Sequence, residues 1–217
     1  MRIGVLGTGM VGSAIASKLA SLGHEVRMGS RSAGNEKAVA WAAGAGDAAS
    51  EGSFVDAAEF GEILFNCTAG GGALAALTAA GEGNLAGKLL IDVSNPLDFS
   101  QSPPGLLITN TDSLGEQIQR GFPEARVVKA LNTMNCDVMV DPGKVRGDHV
   151  AFVCGNDADA KAEAKGVLGE FGWPAERVLD LGDISSARGT EGYLPLWLRM
   201  MGALGTSHFN NAPLAQG

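Results

Sequence analysis

A glycine pattern near the first residue determines how the first strand connects to the first helix. The segment Gly7-Thr8-Gly9-Met10-Val11-Gly12 follows a strand-like apolar run at Arg2–Leu6 and opens a helical stretch at residues 14–22. In such a pattern the first glycine permits a tight turn, the second lets the backbone approach a pyrophosphate, and the third lets helix and strand pack closely. Because phosphates bind at helix N-termini, the pattern predicts a dinucleotide-binding strand–turn–helix unit.

The end of the second predicted strand indicates which dinucleotide is bound. Sites for NAD usually place Asp or Glu about 20 residues beyond the glycines, where it hydrogen-bonds the ribose 2′-hydroxyl. This chain instead reads Gly29-Ser30-Arg31-Ser32 after the strand at residues 25–28, and Lys37 adds a further positive charge. A guanidinium and hydroxyls attract the 2′-phosphate that a carboxylate would repel, so we predict a preference for NADP. Each charge-assisted hydrogen bond contributes about 1.5–3 kcal/mol, enough for a preference of about tenfold or more.

Composition excludes several classes of protein. The 217 residues are 45% apolar, enough to bury a large core, and the formal net charge is −8 without a basic stripe or tail. We therefore expect no nucleic-acid partner and no membrane partner. The three cysteines show neither CxxC nor metal spacing, so no metal site is expected. The first strand leaves no room for a signal peptide, and no apolar run approaches about 18 residues, so we expect a cytoplasmic protein.

Strand-like and helix-like runs alternate along the whole chain. Strands are predicted at residues 2–6, 25–28, 63–67, 88–92, 127–130, 150–154 and 177–181, and helices at residues 14–22, 36–43, 53–60, 74–80, 114–119 and 158–171, with a C-terminal helical region that reaches Ala203. This alternation predicts an α/β fold of the Rossmann type, with a doubly wound, mostly parallel sheet. We expect one domain over residues 1–217, with a nucleotide-binding core at 1–147 and a strand–helix extension with a C-terminal helix at 148–217.

Three turns follow predicted strands at positions where a cofactor can pass. They are Thr68-Ala69-Gly70-Gly71-Gly72, Ser94-Asn95-Pro96-Leu97 and Leu131-Asn132-Thr133-Met134. Each combines small residues, which a flat ring can approach, with amides or hydroxyls that can hold it. Open parallel sheets bind ligands beyond the carboxyl ends of their strands, so we expect these turns to meet beside the cofactor. Turn chemistry alone also accounts for Gly, Asn and Pro at such places.

Taken together, these segments resemble the NADPH-dependent deazaflavin (coenzyme F420) reductase family, whose nucleotide-binding fold is shared with the cytosolic domain of mammalian metalloreductases. The resemblance covers nearly the whole chain. It rests on Arg2-Ile3-Gly4-Val5-Leu6-Gly7-Thr8-Gly9, Gly29-Ser30-Arg31, Ser94-Asn95-Pro96-Leu97, Val128-Lys129-Ala130-Leu131-Asn132-Thr133 and Tyr193-Leu194-Pro195-Leu196-Trp197.

The resemblance implies hydride exchange between NADPH and a deazaflavin or flavin-type small-molecule acceptor, with no protein nucleophile. Carried over by motif, Thr8, Gly9, Met10 and Val11 would meet the pyrophosphate, Ser30 and Arg31 the 2′-phosphate, and Asn95, Pro96, Ala130 and Asn132 the nicotinamide. Many family members have a second basic residue where this chain has Ser32. No catalytic side chain is assigned.

Two other functions are compatible with the same sequence. A reductase of a small carbonyl or imine would require a proton donor, for which Lys129, Asp183 and His208 are the candidates. A noncatalytic NADP-binding sensor would use the glycines to bind the nucleotide and the C-terminal helix to signal to a partner. The acidic tail of a deazaflavin also requires nearby cations, and the candidates are Lys129, Lys144, Arg146 and Arg199.

The C-terminal stretch at residues 193–204 is densely apolar and includes Trp197. Such a helix needs cover on more than one side, either from its own domain or from another subunit. Similarity to the reductase family favours a homodimer.

Overall fold

The protein is described by a computed structural model over residues 1–214; residues 215–217 of the predicted domain lie outside the described residues. The strands are β1 Arg2–Leu6, β2 Glu25–Ser30, β3 Ala49–Ser53, β4 Ile63–Asn66, β5 Leu89–Asp92, β6 Leu97–Asp98, β7 Gly105–Leu106, β8 Arg126–Ala130, β9 Ala151–Cys154 and β10 Val178–Asp180. The helices are α1 Met10–Ser21, α2 Glu36–Ala45, α3 Phe54–Phe60, α4 Ala73–Ala80, α5 Glu82–Leu85, α6 Leu114–Gly121, α7 Cys136–Val140, α8 Ala158–Glu170, α9 Ala187–Gly192 and α10 Leu194–Leu204.

Eight strands form one sheet in the order β10-β9-β8-β5-β4-β1-β2-β3. The β8–β9 pair is antiparallel and the other neighbours are parallel. Strand order reverses beside β1, because β2 lies on one side of it and β4 on the other. Ligands of doubly wound sheets bind at such a switch point, beyond the carboxyl ends of the strands. The predicted Rossmann-type α/β fold is confirmed.

The sheet separates two apolar cores. Alternate side chains of β4 show the division, since Ile63 and Phe65 join the core beneath α1, α7 and α8, whereas Leu64 joins the core beneath α3, α4 and α6. Each large apolar side chain buried in this way contributes about 1.5–3 kcal/mol. The two cores hold the strand ends in fixed positions relative to one another. The three predicted cofactor turns follow the ends of β4, β5 and β8.

The structure differs from the sequence predictions at several places, and the β6–β7 pair and the short helices α5 and α7 were not predicted. Edge strand β3 was not predicted, because its residues Ala-Ser-Glu-Gly-Ser provide no apolar alternation, and it lies at the end of the sheet beside β2. The C-terminal helical region divides at Tyr193 into α9 and α10. Pro195 lies in the first turn of α10, where a missing backbone N–H costs little.

In the part of the chain that the structure describes, none of the helices combines the length and the apolar character needed to span a bilayer.

Candidate nucleotide-binding and active site

The glycine turn after β1 excludes larger side chains at two of its three glycines. Gly7 has a φ of +122°, in the region that favours glycine, and a Cβ there would lie 2.6 Å from the carbonyl oxygen of Cys67. A Cβ on Gly12 would lie 2.0 Å from the carbonyl oxygen of Gly7. Gly9 differs, because a Cβ there meets no atom of residues 1–214 within 4 Å. The backbone at Gly9 is therefore open to the approach of a ligand.

The N-terminus of α1 is suited to an anion. Gly9 is the N-cap residue, no side chain of residues 1–214 caps the helix, and the first turn contains no acidic residue. The first backbone N–H groups of a helix lack partners within the helix and carry partial positive charge. Met10, the first residue of the helix, is 82% exposed, so this end of the helix faces solvent. This helix end offers donors to a phosphate group.

A cleft of about 710 Å³ opens beside this turn. Six of the predicted site residues line it, namely Gly7, Thr8, Gly9, Arg31, Thr68 and Ala69. The other lining residues are Phe54, Cys67, Gly72, Ala75, Ala76 and Ala79. The volume is within the range of small-molecule sites. The alanines of α4 were not predicted as lining residues, because an alanine-rich helix gives no signal that distinguishes a ligand-facing side from a packed one.

The cleft holds no activated nucleophile at Cys67. Burial, with a contribution from Asp92, raises the pKa of this thiol well above its ordinary value. Only the thiolate is an effective nucleophile, so the uncharged thiol acts as a small apolar lining group. Among residues 1–214, no group of three or more His, Cys, Asp or Glu side chains is arranged to hold a metal ion.

Arg31 lies on a turn that is fixed from several sides. The Ser30 hydroxyl donates to the carbonyl oxygen of Ser32 at 2.6 Å, and the Glu51 carboxylate accepts from the backbone N–H of Gly34 at 3.0 Å. Asn35 then caps α2 by accepting from two backbone N–H groups. Arg31 itself is exposed and forms no ion pair with any residue in 1–214. Its guanidinium is available to an anionic group in the cleft.

The other predicted phosphate contacts are less direct. The single hydrogen of the Ser30 hydroxyl is already donated to Ser32, so Ser30 shapes the turn. Ser32 and Lys37 are exposed beside the turn and do not line the cleft. Met10, Val11 and Gly12 form the first turn of α1 and do not line the cleft, and Gly12 packs against the backbone of Gly7.

The turns after β4, β5 and β8 meet in one rim. A Cβ on Gly70 would lie 2.1 Å from the carbonyl oxygen of Asn95, so the first two turns touch through their backbones. Asn95 and Asn132 are joined by side-chain hydrogen bonds of 2.8 and 2.9 Å. Asn95, Pro96 and Asn132 form this rim outside the cleft proper, and Ala130 is fully buried in β8. The site residues therefore form two neighbouring groups, the cleft and the rim.

Two candidate proton donors are engaged in other interactions. Lys129 is completely buried, and its ammonium lies 2.8 Å from Asp92 Oδ2 and 2.7 Å from Glu191 Oε1. Burial disfavours its charge, but attraction to the two carboxylates outweighs burial and raises the pKa of Lys129. Hydrogen bonds from the side chain and backbone of Ser185 lower the pKa of Asp183. Lys129 holds its proton in a closed cluster, and Asp183 is an ionised acceptor.

The remaining candidates lie on the surface. His208 Nε2 lies 3.0 Å from Asp137 Oδ2 at an exposed position. Lys144, Arg146 and Arg199 are also exposed and form no ion pair within residues 1–214. Three of the four cations considered for an acidic acceptor tail are thus accessible, whereas Lys129 is not.

Comparisons with known proteins agree with this geometry. The family model "NADP oxidoreductase coenzyme F420-dependent" matches residues 2–96, which include the glycine turn, Arg31 and Asn95. The crystal structure of a candidate F420-dependent NADP reductase from Arthrobacter sp. FB24 is 51% identical, with a TM-score of 0.93, and the alignment covers 99% of this chain and 100% of that one.

More distant relatives share the fold. Metalloreductase STEAP3 of Rattus norvegicus is 28% identical over 204 residues, which are 90% of this chain and 38% of that protein. The chain therefore spans about two fifths of the length of this curated relative. The structure of a reductive aminase from Aspergillus terreus, solved with NADPH and ethyl levulinate, is 21% identical with a TM-score of 0.67. The alignment covers 94% of this chain and 62% of the aminase chain. On the full-length match at 51% identity, together with the family model, the chain belongs to the coenzyme F420-dependent family of NADP oxidoreductases and is an enzyme.

Proposed function

We propose that the protein transfers a hydride between NADPH and a deazaflavin or flavin-type acceptor. The observation that supports this most strongly is the shared position of two features in one cleft, the open backbone at Gly9 and the guanidinium of Arg31, which forms no ion pair within residues 1–214. A pyrophosphate at the first and a 2′-phosphate at the second are the two anionic groups of NADPH. NADPH supplies the hydride when bound, and the protein contributes orientation and exclusion of water.

Each group of site residues has a separate role in this proposal. Backbone N–H groups of Gly9, Met10 and Val11 hold the pyrophosphate, with the hydroxyl of Thr8 beside them. Arg31 holds the 2′-phosphate, while the exposed Ser32 and Lys37 add a donor and a charge. Thr68 and Ala69 line the passage from the cleft to the rim.

The rim formed by Asn95, Pro96 and Asn132 is proposed as the nicotinamide neighbourhood, with Ala130 beneath it. The two asparagine side chains restrain each other, so the rim is rigid before the ring binds. Rigid polar groups of this kind orient a flat ring at little entropic cost.

The state of the proton donors favours a ring acceptor over a small carbonyl or imine. Lys129 is enclosed, and Asp183 accepts hydrogen bonds from Ser185. Reduction of a carbonyl requires a proton donor at the developing, localised alkoxide, whereas a deazaflavin or flavin ring that accepts a hydride delocalises the negative charge and takes its proton from water. Lys144, Arg146 and Arg199 are exposed cations, which is the type of group that an acidic acceptor tail requires.

A screen of acceptors tests the proposal. Purified protein and NADPH are mixed separately with coenzyme F420, a flavin, a ferric chelate and small ketones or imines, and the loss of reduced-nicotinamide absorbance is followed. We expect turnover with the deazaflavin or flavin, and none in the Gly9→Val variant. Turnover with ketones or imines alone would support a carbonyl or imine reductase. NADPH binding without turnover of any acceptor would support a sensor.

A further inference from the structure

Glu191, on α9 of the C-terminal helical region, is almost completely buried and binds three donors at once. Its Oε2 atom accepts from the backbone N–H of Leu114 at 2.8 Å. Its Oε1 atom accepts from the backbone N–H of Gly115 at 2.9 Å and lies 2.7 Å from Nζ of Lys129. The carboxylate thus joins the first turn of α6, whose free N–H groups favour an anion, to the ammonium of a sheet residue.

Lys129 extends this connection to the rim of the site. Its Nζ atom donates to the carbonyl oxygen of Ser94 at 2.6 Å and to Asp92 Oδ2 at 2.8 Å. The Ser94 carbonyl belongs to the peptide unit that leads into Asn95. Lys129 therefore fixes the orientation of the backbone from which the Asn95 side chain reaches Asn132.

The backbone on the other side of the rim is strained. Leu131 has a φ of +61°, which is unfavourable for a branched side chain. This residue lies directly between Lys129–Ala130 of β8 and Asn132. Strained backbone at such a place persists only when neighbouring contacts hold it, and the Lys129 cluster and the Asn95–Asn132 bonds supply those contacts on either side.

We propose that Glu191 is a positioning residue, which acts through Lys129 on the Ser94–Asn95 backbone and so sets the geometry of the rim that orients the nicotinamide. This inference rests on the proposed function, because it requires that the nicotinamide binds beside Asn95 and Asn132. The C-terminal helical region then serves the site from a distance, without touching the cofactor.

A second ion pair on α9 allows the positioning role of Glu191 to be distinguished from simple docking of the helix. Arg188 donates from Nε to Glu116 Oε2 at 2.8 Å, and a further Arg188 nitrogen contacts the other oxygen of Glu116. This pair holds α9 against α6 without involving Lys129. Loss of the Arg188 pair weakens the docking of α9, whereas loss of Glu191 also releases Lys129.

The test compares two nucleotides in matched variants. Glu191→Gln removes the charge and one acceptor, and Arg188→Met removes the neighbouring pair. Equilibrium titration measures the affinity of NADPH, which reaches the rim, and of 2′,5′-ADP, which carries only the adenosine half. The fluorescence emission of bound NADPH reports the environment of the nicotinamide. Circular dichroism and thermal unfolding check that each variant is folded.

We expect Glu191→Gln to weaken NADPH binding by about tenfold and to shift the emission of bound NADPH, with 2′,5′-ADP affinity changed by less than about twofold. Arg188→Met is expected to change both affinities by less than about twofold. If Glu191→Gln does not fold, Glu191→Asp replaces it, which keeps the charge but is one methylene shorter. We expect Glu191→Asp likewise to weaken NADPH binding more than 2′,5′-ADP binding.

The inference is overturned by an equal loss of both affinities in the folded Glu191 variant, by no change in either, or by the same selective loss in Arg188→Met. Failure of the proposed function has a different signature, since unmodified protein would then not bind NADPH or would not reduce the acceptor. The ratio of NADPH affinity to 2′,5′-ADP affinity does not depend on which acceptor the enzyme uses.

Discussion

Asn95 and Asn132 exchange two hydrogen bonds between the ends of neighbouring strands β5 and β8. The Nδ2 atom of Asn95 donates to the carbonyl oxygen of Asn132 at 2.8 Å, and the Nδ2 atom of Asn132 donates to Oδ1 of Asn95 at 2.9 Å. Each of the two side-chain amide groups donates one hydrogen bond within the pair, and Oδ1 of Asn95 accepts one of them. The pair consequently depends on both residues being amides.

Asn132→Asp is predicted to break this exchange, because a carboxylate oxygen would face Oδ1 of Asn95 and the side-chain donor would be lost. We expect the free energy of unfolding in urea to fall by about 1–3 kcal/mol at neutral pH. Asn135→Asp is a matched control, since Asn135 caps α7 by accepting from Asp137 N–H and an aspartate caps equally well. Equal destabilisation by the two substitutions would contradict the role given to the pair.

Gly9→Val is predicted to abolish NADPH binding and leave the fold intact. Within the described part of the chain, a Cβ at Gly9 meets no atom closer than 4 Å, so the added side chain extends into the space proposed for the pyrophosphate. Titration with NADPH and circular dichroism measure the two properties. Gly12→Val is the contrasting control, because its Cβ would lie 2.0 Å from the Gly7 carbonyl oxygen and should disrupt the fold itself. Normal NADPH binding by a folded Gly9→Val protein would show that the phosphate site is misplaced.

Arg31→Ala is predicted to remove most of the preference for NADPH over NADH. The guanidinium contributes about 1.5–3 kcal/mol to a 2′-phosphate and nothing comparable to a 2′-hydroxyl, so only NADPH affinity should fall, by about tenfold or more. Calorimetric titration of both nucleotides checks this. Arg2→Ala is a matched control, because Arg2 is an exposed arginine paired with Glu62 away from the cleft. Equal affinities in the unmodified protein, or an equal loss for both nucleotides, would refute the assignment.

We propose that the enzyme is a homodimer that uses the exposed side of α10. Trp197 is buried in its own subunit and stacks on Phe209 with ring centroids 5.2 Å apart, whereas Leu196 is 56% exposed. Leu196→Glu is therefore predicted to convert a dimer into a folded monomer, as measured by light scattering. Val39→Glu, at an exposed apolar position on α2, should leave the assembly unchanged. A monomer at micromolar concentration in the unmodified protein would contradict the proposal.

The fold was largely predictable because its signals are local. The glycine turn, the apolar β-runs and the caps at Ser53 and Asp157 each depend on residues within a few positions of one another. Strand β3 was not predictable in this way, since it pairs through its backbone at the sheet edge and has no apolar pattern.

The candidate site was predictable only in part. Arg31 and the glycines carry chemistry that their spacing reveals, but the cluster at Lys129 depends on Glu191, which is distant in sequence and brought near only by the docking of α9. A lysine within the apolar run Val127–Ala130 is the one local signal that a buried partner exists, and it does not say which residue that partner is. The position of Trp197 likewise depended on Phe209, which folds back onto it from the tail.

Transfer of an isotopic label tests hydride exchange most directly. The protein is incubated with oxidised deazaflavin and with each of the two NADPH epimers that carry deuterium at nicotinamide C4, and the products are analysed by mass spectrometry. We predict that deuterium appears in the reduced deazaflavin from one epimer only, in proportion to the NADPH consumed. Bound NADPH that is not consumed when deazaflavin is present, or a reduced deazaflavin without label from either epimer, would contradict direct hydride transfer to a deazaflavin.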